Sequence, residues 1–236
     1  MKLALFGYGA MGQLVAAGAR TGGDEIGVVL TSKEGGLPAD QLAQKLSGHD
    51  VAIDFSIGDA VIKHVEACAL AHVPLVEGAT GWKQHESTAK QLMTEHSGAM
   101  VYGANFSIGV NLFYRIANCA AALFSAVDGY APFIEEAHHN RKRDAPSGTA
   151  LKLRDIMSEH LGPDIPTSST RAGYIPGTHR IGFDSEADQI LLTHTARSRQ
   201  GFASGALLAA HWIVGRTGVF EFSEVIDSVI TSSRQD

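Results

Sequence analysis

The sequence predicts an α/β protein: a doubly wound parallel sheet, followed by a second α+β domain with a mixed or antiparallel sheet. Three observations predict it. Short apolar or β-branched runs alternate with helix-patterned stretches through the first half of the chain, and this pattern changes after Asn105. Residues 178–184 and 188–196 then read as a hairpin around the polar turn Ser185-Glu186-Ala187-Asp188.

Taken in order, Leu3-Ala4-Leu5-Phe6 predicts a strand over 2–6 that leads into a helix over 10–20. Further strands are expected near 25–30, 50–55, 73–77 and 99–103. Helices are expected near 58–70 and 83–96, the second with Lys83, Glu86, Lys90 and Glu95 on a solvated face. Beyond Asn105, an Ala-rich helix near 107–126 precedes a strand around 131–138 and a helix that starts at Pro146-Ser147. The stretch 202–215 spaces small residues for close helix packing and is expected to return the chain to the first domain. Residues 1–106 and 201–236 therefore form a dinucleotide-binding domain, and 107–200 a substrate-binding and oligomerisation domain.

Composition narrows the function. With 236 residues, 44% hydrophobic, the chain can bury a sizeable core. A net charge of −6 disfavours a general nucleic-acid or membrane-surface binder, so any anion site must be local. The two cysteines, Cys68 and Cys119, have no C-x-x-C spacing, which fits a reducing compartment and offers no metal framework. The N-terminus mimics a signal peptide, but three glycines and Gln13 interrupt its apolar run. No stretch reaches the roughly 20 apolar residues of a membrane span, and a cytoplasmic location is expected.

Residues 7–12 read Gly7-Tyr8-Gly9-Ala10-Met11-Gly12, after a strand and opening a helix. Gly7 permits the tight turn, Gly9 lets the backbone approach a pyrophosphate, and Gly12 lets the helix pack on the strand. In this context the motif predicts a Rossmann-type cofactor site. The second strand ends in Thr31-Ser32-Lys33, without an acid for a ribose hydroxyl. Ser32 and Lys33 suit a 2′-phosphate, so NADPH is the preferred cofactor and NADH the tolerated one; alternatively, Lys33 is simply solvated beside Glu34. Two later loops, Gly78-Ala79-Thr80-Gly81 and Ala104-Asn105-Phe106-Ser107, follow strand ends and can reach the nicotinamide, although Phe106 could equally be core.

The segment from Glu135 to Ala150 concentrates donors and cations. His138 and His139 supply proton-transfer groups, Lys142 a point charge, and Ser147-Gly148-Thr149 a helix start with free N–H groups for carboxylates. Neighbouring strand residues face opposite ways, so both histidines can serve one site only where the strand ends or bulges. The assignment also requires residue 138 to be reachable rather than buried beneath the second domain.

The run His138-His139-Asn140-Arg141-Lys142-Arg143-Asp144-Ala145-Pro146-Ser147-Gly148-Thr149-Ala150 resembles the H-H-x-x-K-x-D-A-P-S-G-T-A signature of the dihydrodipicolinate (4-hydroxy-tetrahydrodipicolinate) reductase family. The similarity spans nearly the whole chain, through Asp54-Phe55-Ser56, residues 77–82, 104–111, 171–179 and 196–206. It implies reduction of 4-hydroxy-tetrahydrodipicolinate to tetrahydrodipicolinate in the diaminopimelate and lysine pathway. It further implies that His138 donates the proton and that His139, Lys142, Ser147, Gly148 and Thr149 hold the carboxylates, with Lys142 also stabilising charge around the reacting ring. Phe55, Ser56 and Arg199 are expected near the cofactor, and a homotetramer is implied through the second sheet, with Ile181, Phe183, Ile190 and Leu192 among its apolar residues. Because the two motifs lie in different domains, their ligands are expected to meet across a cleft with hinges near 105–109 and 199–202. Open alternatives are a reductase of another small anionic imine, a non-catalytic NADPH-sensing module, and, weakest, a DNA- or protein-binding module.

Overall fold

A computed structural model describes residues 1–232; the last four, within the 201–236 stretch assigned to the first domain, lie outside the described residues. The chain forms two units, Met1–Ile108 together with the chain from Arg199, and Gly109–Ser198.

In chain order, the first unit holds β1 (Lys2–Phe6), α1 (Ala10–Thr21), β2 (Glu25–Leu30), α2 (Ala39–Leu46), β3 (Val51–Asp54), α3 (Val61–Ala71), β4 (Leu75–Glu77), α4 (Glu86–Glu95) and β5 (Ala99–Tyr102). The chain continues through α5 (Ile108–Phe124), β6 (Ala131–His138), α6 (Gly148–Leu161), β7 (Thr167–Arg171), β8 (Thr178–Asp184) and β9 (Gln189–Thr195). It ends with α7 (Gln200–Ile213), β10 (Gly218–Glu221) and α8 (Phe222–Ser232) back in the first unit.

The first sheet has the order β10-β5-β4-β3-β1-β2, and every pairing is parallel. Strand side chains alternate faces. Leu3 and Leu5 of β1 therefore pack with α1, α7 and α8, while Ala4 and Phe6 pack with α2, α3 and α4. Both faces are covered, which is why these strands read as continuous apolar runs. Strand order reverses between β1 and its neighbours β2 and β3, and this places the turn after β1 at the crevice where such folds bind ligands.

The second unit is a mixed sheet of order β7-β6-β8-β9, with β6 and β7 parallel and the other pairings antiparallel. Its core joins Ile134, Ile181 and Phe183 of the sheet to Phe113, Ala117, Leu153 and Met157 of the helices. This corrects one expectation: Ile181 and Phe183 are fully buried within their own unit and are not available for a subunit contact. Ile190 and Leu191 of β9 are the exposed apolar residues of that hairpin.

Four elements have no counterpart in the sequence reading: α2, β7, β10 and α8. In α2 the buried residues are Ala39, Leu42 and Leu46, with no side-chain cap to mark its start. The β7 strand, Thr-Ser-Ser-Thr-Arg, is a polar edge strand defined by its register with β6 rather than by apolar alternation. β10 has four residues and runs directly into α8.

Candidate active site

The turn after β1 is built by steric necessity. Gly7 has φ of +86° and donates its N–H to the Leu30 carbonyl at 2.8 Å, which ties the turn to the end of β2. At Gly12, a Cβ would lie 2.3 Å from the Gly7 carbonyl oxygen, so only glycine lets α1 approach the turn. A Cβ on Gly9 would meet nothing within 4 Å, and no side chain caps the helix that Gly9 precedes. The first-turn N–H groups thus face open space beside a positive helix end, the arrangement that suits a pyrophosphate. The donor set fits a dinucleotide.

Beyond this turn, Met11, Phe55, Ser56, Gly78, Ala79, Thr80, Ala104, Phe106 and Arg199 line one pocket together with Gly103 and Phe202. Phe106 is 2% exposed and packs on Phe222, so it is core and pocket wall at once. The Asn105 side chain accepts the Ser107 N–H at 2.8 Å, which makes it a loop brace. Tyr8 and Ala10 are exposed on the glycine turn itself. Ser32 and Lys33 are exposed after β2, outside the shared pocket. Beside them the Glu34 carboxylate is bound by the Thr31 N–H at 2.8 Å and hydroxyl at 3.1 Å. Lys63 of α3 donates to the Gly35 carbonyl of the same loop.

The second unit assembles its site at the end of β6. Alternation turns Ile134, Glu136 and His138 inward, while register sets Ser169 of β7 and His179 of β8 on either side of Glu136. The Glu136 carboxylate takes up three donors from two elements, β7 and the start of α6: Ser169 Oγ at 2.7 Å, an Arg171 guanidinium nitrogen at 2.6 Å and the Ser147 N–H at 3.1 Å. Its other oxygen lies 2.7 Å from His138 Nδ1. Although burial opposes the charge, these donors hold the Glu136 carboxyl down at about 2. Glu136, His138 and His179 offer metal-type ligand atoms within 4.8 Å of one another. Arg171 already neutralises the carboxylate, so the cluster acts as an ion-pair hub.

His138 is 8% exposed, tighter than the sequence reading requires of a reachable imidazole. The cause is local: Glu136 holds one ring edge, and a Cβ on Gly177 would sit 3.2 Å from the other. Burial lowers the His138 pKa, with Lys142 and Arg171 acting in the same direction, and Glu136 opposes them. His179, desolvated and beside His138, falls to about 4. His139 lies just past the strand end, half-buried, in a turn closed by the Lys142 N–H to its carbonyl at 3.1 Å.

Lys142 is paired with Asp144 at 2.9 Å. This ion pair, with a smaller contribution from the Gly148 N–H at the start of α6, holds the Asp144 carboxyl below its usual range. Ser147 is the N-cap of α6: its hydroxyl accepts the Ala150 N–H at 3.2 Å and meets His179 Nε2 at 3.1 Å. It is 2% exposed, so it braces the helix start rather than presenting its side chain. Thr149 is half-buried beside the Tyr114 hydroxyl.

The sequence reading assigned no role to Glu136, Asp144, Ser169, Arg171 or His179. The parity of Glu136 with His138 on one strand was the available signal. Partners on β7 and β8 depend on a register that the sequence does not display.

A glycine turn at the topological switch point, paired in the same chain with an acid-backed imidazole and a cation-rich helix start, defines an NAD(P)H-dependent oxidoreductase. The chain belongs to the dihydrodipicolinate reductase family: the model of its N-terminus matches residues 1–106 and that of its C-terminus 109–226. A 4-hydroxy-tetrahydrodipicolinate reductase from Christiangramia forsetii is 33% identical over 97% of this chain and 99% of its own. Another from Anaeromyxobacter dehalogenans is 35% identical over 89% of this chain and 82% of its own. The dipicolinate-bound dihydrodipicolinate reductase from Paenisporosarcina sp. TG-14 has the same fold, with a TM-score of 0.77 at 22% identity, covering 94% and 97% of the two chains. Among the described residues, no helix is long and apolar enough to cross a membrane.

Proposed function

We propose that this reductase acts on 4-hydroxy-tetrahydrodipicolinate, yielding tetrahydrodipicolinate, with His138 as the proton donor and NADPH preferred over NADH. The observation that carries it is the 2.7 Å approach of His138 Nδ1 to a carboxylate fixed by donors from β7 and the start of α6, in the same segment as Lys142. A bound NAD(P)H supplies the hydride; the residues of the second unit manage the substrate's charges and its proton. Glu136 orients the imidazole and leaves Nε2 to face the reacting ring, as a buried carboxylate does for a catalytic histidine.

A dicarboxylate brings two negative charges. One carboxylate takes the place of Asp144 on Lys142 and on the α6 N–H groups of Gly148 and Thr149, and His139 assists at the adjoining turn. Ser147 serves this site as a brace. Burial, with Lys142 and Arg171, lowers the His138 pKa, and the negative charges of the incoming substrate act against that lowering, so substrate binding favours the proton that the reaction then uses. NADPH preference rests on Lys33 and Lys63 at the loop after β2, and on Glu34 being tied to Thr31 and so withdrawn from a ribose. The domain roles follow: the unit with the glycine turn binds the dinucleotide, and the other binds substrate and assembles a homotetramer through its sheet.

A coupled assay with freshly condensed aspartate semialdehyde and pyruvate tests the reading, expecting turnover with NADPH above that with NADH. Dinucleotide binding without turnover would favour a sensing module; turnover confined to other anionic imines would move the substrate. Since His138 must be protonated, kcat/KM should rise as pH falls from 8 toward 6.

A further inference from the structure

The ends of β3 and β4 carry two carboxyl side chains that the reaction does not use. Asp54 and Glu77 are register partners on adjacent parallel strands, and both are 0% exposed. Each reaches forward to the N–H two residues on. Asp54 Oδ1 accepts the Ser56 N–H at 2.6 Å, and Glu77 Oε1 accepts the Ala79 N–H at 2.7 Å. Those two loops, with Phe55, Ser56, Gly78, Ala79 and Thr80, form much of the wall of the pocket described above.

Two neighbouring buried carboxylates cannot both stay ionised without cations, because desolvation and mutual repulsion act together. Among the described residues, the basic group paired with them is His64 of α3, whose Nδ1 lies 2.6 Å from Asp54 Oδ2 and whose ring stacks on Phe6 at 4.0 Å. The negative charge therefore belongs on Asp54. Glu77 Oε2 is buried with no hydrogen-bond partner fixed among the described residues. Burial, then the Asp54 charge, pushes the Glu77 carboxyl well up, and the same pair pushes up the Cys68 thiol on α3.

We propose that Asp54 and Glu77 share a single proton, held on Glu77 and directed at Asp54, and act as a paired bracket that fixes the two pocket loops for the dinucleotide. Both are positioning residues. The proposal rests on the reading of that pocket as the cofactor site. With the Ser56 and Ala79 amides turned into the sheet end, the loops present their remaining edges to the ligand without having to be ordered by it.

The experiment compares purified full-length wild type, Glu77→Leu and Glu77→Gln, using NADPH as the probe. Glu77→Leu should raise the KM for NADPH about tenfold, the size of one lost buried hydrogen bond. Its kcat and substrate KM should stay within a few-fold of wild type. Glu77→Gln should restore wild-type NADPH use, because a carboxamide accepts from Ala79 and donates to Asp54 as a protonated carboxyl does. Amide exchange at Ala79 should be slow in wild type and Gln and fast in Leu.

Wild-type NADPH affinity in Glu77→Leu would overturn the bracket. Damage in Glu77→Gln equal to that in Leu would overturn the shared proton. Should the leucine variant not fold, the glutamine variant and its Ala79 exchange decide. NADPH that fails to protect residues 55–56 and 78–80 in wild type would remove the pocket assignment instead, a result separable from both.

Discussion

In the proposed reading the two units hold anions in opposite ways. The first uses backbone: a glycine turn, an uncapped helix start and bracketed loops, with no cation on the glycine turn itself. The second uses side chains, the cations Lys142 and Arg171 with the imidazole of His138, held in place by Asp144 and Glu136. A backbone site depends on whether a Cβ fits and is indifferent to pH. A side-chain site can change its charge as the ligand arrives, which a proton donor requires.

The sharpest break in this contrast is His138→Gln, which should lower kcat by about 10²–10⁴-fold with little change in KM in steady-state assays. Near-normal turnover would leave the second unit a binding device only. Gly12→Ala should follow, because its Cβ would meet backbone at 2.3 Å. NADPH affinity should fall by about 5- to 150-fold, the reach of a 1–3 kcal/mol overpacking penalty. Dipicolinate binding, measured by calorimetry, should be retained.

Acid should find the second unit first. The His179 pKa in the fold, about 4, lies below its ordinary value, so its stabilising contribution is present above pH 6.5 and is lost as pH falls toward 4. That loss is of order 2–3 kcal/mol. Glu136, depressed to about 2, loses its contribution as pH falls from 4.5 toward 2, in the same direction. Melting temperature should fall below pH 6.5, and His179→Phe should flatten the upper part of that curve. Thr149→Val should raise the substrate KM several-fold and spare kcat, consistent with one hydrogen bond. The smallest effect is expected from exposed Lys33: Lys33→Ala should reduce the NADPH/NADH ratio of kcat/KM by about threefold, since an exposed ion pair contributes under 1 kcal/mol.

The parallel sheet was legible because strands covered on both faces write themselves as apolar runs, as with Leu3 to Phe6 and Val51 to Ile53. Polar or short edges left no such mark, so β7 and β10 went unread. The glycine turn was legible because a steric demand admits one residue type. His138 and Lys142 were legible as chemistry, but Glu136 owes its place to strand parity, and Arg171 and His179 to a register across three strands. Ser147 is legible as a helix start from its place just before α6, and the hydrogen bond from the Ala150 N–H shows its hydroxyl as the cap. Asp144 was passed over because its value lies in the ammonium and amide it holds.

The first unit is not continuous in sequence. Residues 203, 206, 209, 210 and 213 of α7 complete the layer that covers β1 and β3, and β10 supplies the edge beside β5. A ribosome therefore finishes the whole second unit before the first can close, and the layer over one side of β1 and β3 lacks α7 and α8 until the end of the chain emerges. Losing the last two elements to truncation would cripple the half of the molecule encoded first.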